Sequence, residues 1–188
     1  LILLLSFASV RAEEFMFKHI EVKDGLPNNS ITAIIKDSKG FMWIGTASGL
    51  TRYDGHNFHV FRNHKNDTLS IPDNYVDFII EDKDENLWMR AGGEFVLYDL
   101  QMERFVRHPN SYYKKAGVPD KPHYVYVDSE GDYWFYQNWN GCYYYHRKSG
   151  EAQNLMVAED ALPGSALRGM TEHGDEMNLL FDNGEMYG

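Results

Sequence analysis

The sequence predicts an all-β chain made of β-propeller blades, each a four-stranded antiparallel sheet. Three features point there: a repeat, short strand-like runs separated by turn residues, and strands that are apolar on both faces. Trp43, Trp88 and Trp134 mark the repeat, spaced 45 and 46 residues apart. Each follows an aspartate by six residues (Asp37, Asp82, Asp128) and precedes a tyrosine by ten (Tyr53, Tyr98, Tyr144). Each copy opens on an apolar residue and a proline: Leu26-Pro27, Ile71-Pro72 and Val118-Pro119. Leu162-Pro163 opens a weaker fourth copy, with Asn178 or Leu179 at the tryptophan position and Tyr187 near the tyrosine. Self-similarity at a fixed period of this size marks a repeat architecture.

Within the first copy the elements follow in order. Residues 30–36 (SITAIIK) form an apolar run bounded by turn residues. Asp37-Ser38-Lys39-Gly40 turns, since Asp bonds its own backbone and Gly accepts positive φ. Residues 41–46 (FMWIGT), 50–54 (LTRYD) and 58–62 (FHVFR) are the next three strands, separated by Ala47-Ser48-Gly49 and Gly55-His56-Asn57. Strands this closely spaced with turn signals between them mean an all-β fold. Phe41, Trp43 and Gly45 share one face of their strand, and Met42, Ile44 and Thr46 the other. Neither face is polar, whereas a β-sandwich strand keeps one solvated face. A blade packed on both sides accounts for this, and four strands per period fit it. No amphipathic helix of useful length is evident.

The copies divide the chain into blades at residues 25–68, 69–115 and 116–160, with a partial blade at 161–188. Residues 1–12 (LILLLSFASVRA) read as a signal peptide lacking its first residues, with Val10-Arg11-Ala12 as the cleavage pattern. That run is too short to span a bilayer. Residues 13–24 hold an expected strand at 15–20 (FMFKHI), which would close a last blade lying outside this sequence. The chain stops within a strand-like run at Tyr187-Gly188, so both ends read as those of a fragment.

Composition narrows the function. The 188 residues carry 18 Lys and Arg against 28 Asp and Glu, a net charge of −10. That balance excludes binding nucleic acid through general phosphate attraction and disfavours anionic lipid. Cys142 is the one cysteine, which excludes an internal disulfide framework and a cysteine-rich zinc site. The eight histidines show no metal spacing, and His56 and His59 fall on opposite strand faces. Asp82-Lys83-Asp84-Glu85-Asn86 lacks the later Gly and Glu of a calcium loop and reads as a solvated turn. No nucleophile-elbow, zinc-protease or phosphate-loop motif occurs, and neither a metal nor a cofactor is expected.

The segment GLPNNSITAIIKDSKGFMWIGTASGLTRYDGHNFHVF, residues 25–61, resembles the two-component regulator propeller repeat. The matching positions are Leu26, Pro27, Asp37, Gly40, Trp43, Gly45, Thr46, Gly49, Leu50, Tyr53, Asp54 and Gly55. Copy two departs with Arg90-Ala91 and Glu94-Phe95, copy three with Tyr136-Gln137, and copy four loses the tryptophan. The resemblance implies seven-bladed rings, so this chain would be an open arc of three to four blades from a larger propeller. It also implies the periplasmic sensor region of a hybrid two-component histidine kinase of Bacteroidetes type. Partners would be an oligosaccharide ligand, the remaining blades, and a second copy in the full receptor. No nucleic acid is expected to contact this segment.

Repeat-defining residues are expected to pack or turn, so Trp43, Trp88 and Trp134 should fill the space between blades. Function is expected where copies differ, on the face of second-to-third-strand loops and blade-to-blade connections. Trp139, flanked by Asn138 and Asn140, offers a ring face and amides to a sugar. Arg90 and Tyr112, the latter in the long connection at 110–121, complete the candidate ligand residues; no catalytic residue is assigned. Cys142 is expected to be packed. The alternatives are a secreted propeller enzyme, a lyase or glycosidase, and a non-catalytic interaction scaffold. An enzyme needs an acid and base aimed at one cavity, and no such pair is evident.

Overall fold

A computed structural model of the chain describes residues 17–138, 140–155, 166–174 and 176–187. The expected leader at 1–12, the start of the strand at 15–20 and Leu162-Pro163 lie outside the described residues. Residues 17–20 lie in no sheet, and a short 3-10 turn, Val22–Asp24, leads into the first copy.

Each copy folds as its own antiparallel sheet. The first is β1 (Ile31–Lys36), β2 (Met42–Thr46), β3 (Gly49–Tyr53) and β4 (Phe58–Phe61), paired in chain order. The second is β5 (Val76–Glu81), β6 (Asn86–Ala91), β7 (Glu94–Asp99) and β8 (Arg104–Val106). A six-residue helix, α1 (Asn110–Lys115), precedes the third sheet: β9 (Tyr124–Val127), β10 (Tyr133–Gln137), β11 (Gly141–Tyr145) and β12 (Ala152–Asn154). The fourth has three described strands, β13 (Leu167–His173), β14 (Glu176–Phe181) and β15 (Met186–Tyr187). The first strand of each sheet meets the first strand of the next. The sheets are therefore successive blades of a β-propeller.

Three cores lie between the blades. Along β6, Leu87, Met89 and Ala91 join the core shared with blade 1, and Trp88 joins the core shared with blade 3. On β7, Val96 and Tyr98 point one way and Phe95 and Leu97 the other. This alternation between two apolar environments is why the strands show no polar face. The third core sets Tyr136 and Cys142 against Leu167, Met170, Met177, Leu179 and Phe181. Trp43 and Trp88 are fully buried, and Trp134 is half-buried. Trp43 meets Tyr98 of blade 2 at 5.0 Å between ring centroids, and Trp88 meets Tyr133 of blade 3 at 5.9 Å. The tryptophans thus pack between blades.

The six-residue offset from aspartate to tryptophan has a physical cause. Each indole Nε1 donates to the turn aspartate, at 2.7 Å to Asp37, 3.1 Å to Asp82 and 2.8 Å to Asp128. The other carboxylate oxygen accepts the backbone N–H four residues on: Phe41 at 2.8 Å, Asn86 at 2.9 Å and Asp132 at 2.8 Å. One side chain therefore closes the turn and satisfies the one polar atom of the buried ring. By strand register Asn178 takes the tryptophan position in copy four, where a shorter turn joins His173 and Glu176. Among the described residues no aspartate–indole pair stands at these register positions in copy four. In blade 2 the carboxylate also accepts the Tyr133 hydroxyl of blade 3 at 2.9 Å.

Gly45 has a packing reason. A Cβ built there would lie 2.5 Å from the Val76 carbonyl oxygen of blade 2, so a side chain would push the blades apart. The neighbouring Thr32 hydroxyl donates to that same oxygen. In the other copies the position belongs to Arg90, Tyr136 and Leu180.

Three details differ from the sequence reading. The connection after blade 2 contains α1, where no helix was expected. The loop between β10 and β11 spans residues 138–140, one longer than the corresponding loops 47–48 and 92–93. The extra residue shifts the register, so Tyr145 rather than Tyr144 matches Tyr53 and Tyr98. Tyr144 instead faces Trp134 across the strands, 4.7 Å between centroids. Third, a clasp between blades repeats that the spacing of tryptophans does not mark. Glu81 accepts the backbone N–H and hydroxyl of Ser38 at 2.8 and 2.6 Å, and Glu172 accepts those of Ser129 at 2.9 and 2.7 Å.

Replacing Asp82 by Ala strands an indole, a phenol and two turn N–H groups, and should cost about 2–4 kcal/mol in urea unfolding. Asp37→Ala, which frees no phenol of a neighbouring blade, should cost about 1 kcal/mol less. Equal losses would show that the contact to Tyr133 adds nothing.

Candidate functional site

The face built by the second-to-third-strand loops and the blade connections carries a groove. Its walls are the β6–β7 hairpin of blade 2 and the connection 107–123. Gly92 and Gly93 form the hairpin loop with φ of 63° and 84°, the two positive values that a two-residue type I′ turn requires. Beside it lie Glu94, Arg107, His108, Asn110, Tyr113 and Lys121, around a small pocket of about 30 Å³. On the other side of Tyr113 and Lys121, a cleft of about 510 Å³ continues past Lys114, Val118 and Asp120. Helix α1 exists because its apolar side has a place to go. The Tyr113 ring is buried in the core between blades 2 and 3 together with Ala116 and Val118. Pro109 precedes the helix, where a missing N–H costs nothing.

Ion pairs and hydrogen bonds fix the groove. Lys121 Nζ lies 2.6 Å from the Glu94 carboxylate, joining its two walls. Arg107 donates to the carbonyls of Asp67 at 2.6 Å and Ser70 at 2.9 Å, holding the connection between blades 1 and 2. Burial, and then the Glu94 charge, push the Tyr113 phenol up, so it stays a protonated donor.

The proposed ligand residues scatter around this groove. Asn138 and Asn140 stand next to it: the Asn138 N–H donates to His123 Nδ1 at 3.1 Å, and the Asn140 amide donates to Gln137 at 3.1 Å. Gln137 in turn donates to the Lys121 carbonyl at 3.4 Å, tying that hairpin to the groove wall. Arg90 is turned inward, donating to both Asp77 oxygens at 2.8 and 3.0 Å. Tyr112 lies edge-on to Trp88 at 5.1 Å and its hydroxyl accepts from Asn86 at 3.4 Å, which takes it away from the hairpin loop. Trp139 lies outside the described residues. Among the described residues no group of three or more His, Cys, Asp and Glu could hold a metal ion. The Asp82 carboxylate is occupied by its turn, Trp88 and Tyr133. Asn110, His108, Tyr113 and Glu94 went unassigned in the sequence reading, although 107–123 is the connection that departs furthest from the repeat.

Residues 25–48 match the family model described as two component regulator propeller. That stretch of blade 1 carries a two-component regulator propeller repeat. Histidine kinase P4 of Formosa agariphila is 36% identical over 74 residues, which is 37% of this chain and 5% of that protein. The chain therefore spans a small part of that kinase. Among solved structures, the extracellular domain of a one component system from B. thetaiotaomicron superposes with a TM-score of 0.63 at 20% identity, covering 88% of this chain and 25% of that one. PorZ, a surface component of the type-IX secretion system of Porphyromonas gingivalis, gives 0.50 at 17% identity, over 81% of this chain and 23% of that one. Both likenesses show the propeller fold.

Arg90→Ala leaves Asp77 half-buried without its partner and should cost about 1–2 kcal/mol in chemical unfolding. The double variant with Asp77→Ala should be less destabilised than the two losses added. Additive losses would mean that the pair is energetically idle.

Burial pushes the Cys142 thiol up to about 12 from 9.0, so the fold holds this proton more tightly than the unfolded chain does. The stability this proton contributes is complete below pH 9 and is lost as pH climbs towards 12. At pH 8 the native thiol should react with Ellman's reagent about 10²–10³-fold more slowly than in urea. Comparable rates would place Cys142 at an accessible surface.

Proposed function

We propose that this chain belongs to the extracytoplasmic sensing propeller of a hybrid two-component histidine kinase, located in the periplasm. Its ligand would be an oligosaccharide, with the signal passing across the inner membrane. The observation that carries this reading is the coincidence of the family repeat with a groove built from the least repeat-like connection. The match to Histidine kinase P4 supports the kinase connection, and the extracellular origin of the B. thetaiotaomicron domain supports export. Among the described residues, no helix is long and apolar enough to cross a membrane. The span and the kinase would accordingly come from other parts of the parent protein.

A sensor signals only if its ligand binds one receptor arrangement better than another. A rigid propeller face suits that task, because it presents loops from several blades in a fixed relation. The further blades of a ring and a second receptor copy are the partners this reading requires.

Sequencing the source DNA outward from both ends of this segment tests the reading. The expected frame carries a leader, further repeats, a membrane span and a histidine kinase. A frame that stops after more repeats without span or kinase overturns it.

A further inference from the structure

We infer that the groove beside α1 is a subsite for an acidic saccharide, one bearing carboxylate or sulfate groups, rather than a neutral one. The inference rests on the oligosaccharide-sensing reading above and narrows it. Charge is the first ground. Of the charged side chains that border the pocket and the cleft, Arg107, Lys114 and Lys121 are cationic and Glu94 and Asp120 acidic, in a protein of net charge −10. A local cationic stretch in an acidic molecule draws anions to one place. Arg107 spends its hydrogen bonds on carbonyl and hydroxyl oxygens, so no carboxylate neutralises it among the described residues. Lys114 lines the cleft and makes no ion pair among the described residues. Lys121 is shared with Glu94.

Shape and hydrogen-bonding capacity are the second ground. The cleft of about 510 Å³ lies within the range of small-molecule sites, about 300–1,000 Å³. Asn110 and Tyr113 border both the cleft and the smaller pocket. Neither side chain makes a hydrogen bond among the described residues, so an amide and a protonated phenol remain for sugar hydroxyls. Pro109, Pro119 and Pro122, three of the chain's six prolines, form part of the walls. Fixed φ angles leave little backbone freedom to lose on binding.

Isothermal titration of the full chain with tetragalacturonate and with uncharged galactotetraose, each at low and high ionic strength, tests the inference. The acidic sugar should bind at least about tenfold more tightly than the neutral one and weaken with salt. Lys114→Glu should lower its affinity about tenfold at unchanged thermal stability, while Lys148→Glu, in the β11–β12 turn beside Glu130 at the other end of the blade, should not. Equal, salt-insensitive binding of both sugars overturns the inference and leaves the sugar-sensing reading standing. Acidic-sugar binding indifferent to Lys114→Glu and to Asn110→Ala overturns the groove as its site. Binding of neither sugar overturns both readings.

Discussion

Three of the four blades depend on one carboxylate at the turn between their first two strands. A buried indole is a large apolar gain with one polar atom that must find an acceptor. The turn aspartate supplies that acceptor and uses its other oxygen to close the turn, as Asp37 does for Trp43 and Phe41. Local turn geometry and inter-blade packing thereby share one side chain. In blade 2 the arrangement reaches further, since Tyr133 of blade 3 donates to the same carboxylate oxygen as Trp88. Burial, and then the Asp82 charge, push that phenol up and keep the proton on it, so the link does not dissolve at ordinary pH.

Much of this was legible in the sequence because the constraint is local. Asp37 and Trp43 stand six residues apart in a turn of fixed length, and any copy that keeps both shows the same offset. The two-sided apolar strands were readable for a related reason: blades stack, so both faces of β6 and β7 meet neighbours. Tyr144 was misassigned because a fixed ten-residue count cannot register one added loop residue. A single insertion at 138–140 moves the next strand by one and puts its side chains on the other face. The Ser–Glu clasp was also present in the sequence, as Ser38 and Ser129 each stand directly after a turn aspartate. It escaped notice because Lys83 and Val127 interrupt it between blades 2 and 3, and two copies do not announce a period.

The groove was legible only as a region. Divergence from the repeat pointed to the connection after blade 2, and the groove lies there. Which side chains face it depends on a six-residue helix too short to leave a periodic signal. Once α1 forms, Tyr113 turns into the core between the blades and towards the cleft, while its neighbour Tyr112 turns towards Trp88 and Asn86. Arg90 looked free because it replaces the glycine of copy one. Asp77, which occupies it, sits at the irregular pairing between Val76 and Phe78, and that irregularity is invisible before the strands pair.

The junction between blades 2 and 3 is tied differently from its neighbours. The clasp that ties blade 1 to blade 2 and blade 3 to blade 4 is absent there. In its place stand the Tyr133–Asp82 bond and an Arg147–Asp84 ion pair of 2.6 Å whose side chains are 29% and 45% exposed. An ion pair that wet is worth little. The groove spans this same junction, one wall on the blade 2 hairpin and the other on the segment entering blade 3. A ligand in the groove would touch both blades beside the Glu94–Lys121 ion pair, at the end of the junction opposite the clasp positions. Under the proposed sensing role, binding energy spent there would act on the relative placement of two blades, the kind of differential contact that a conformational signal requires.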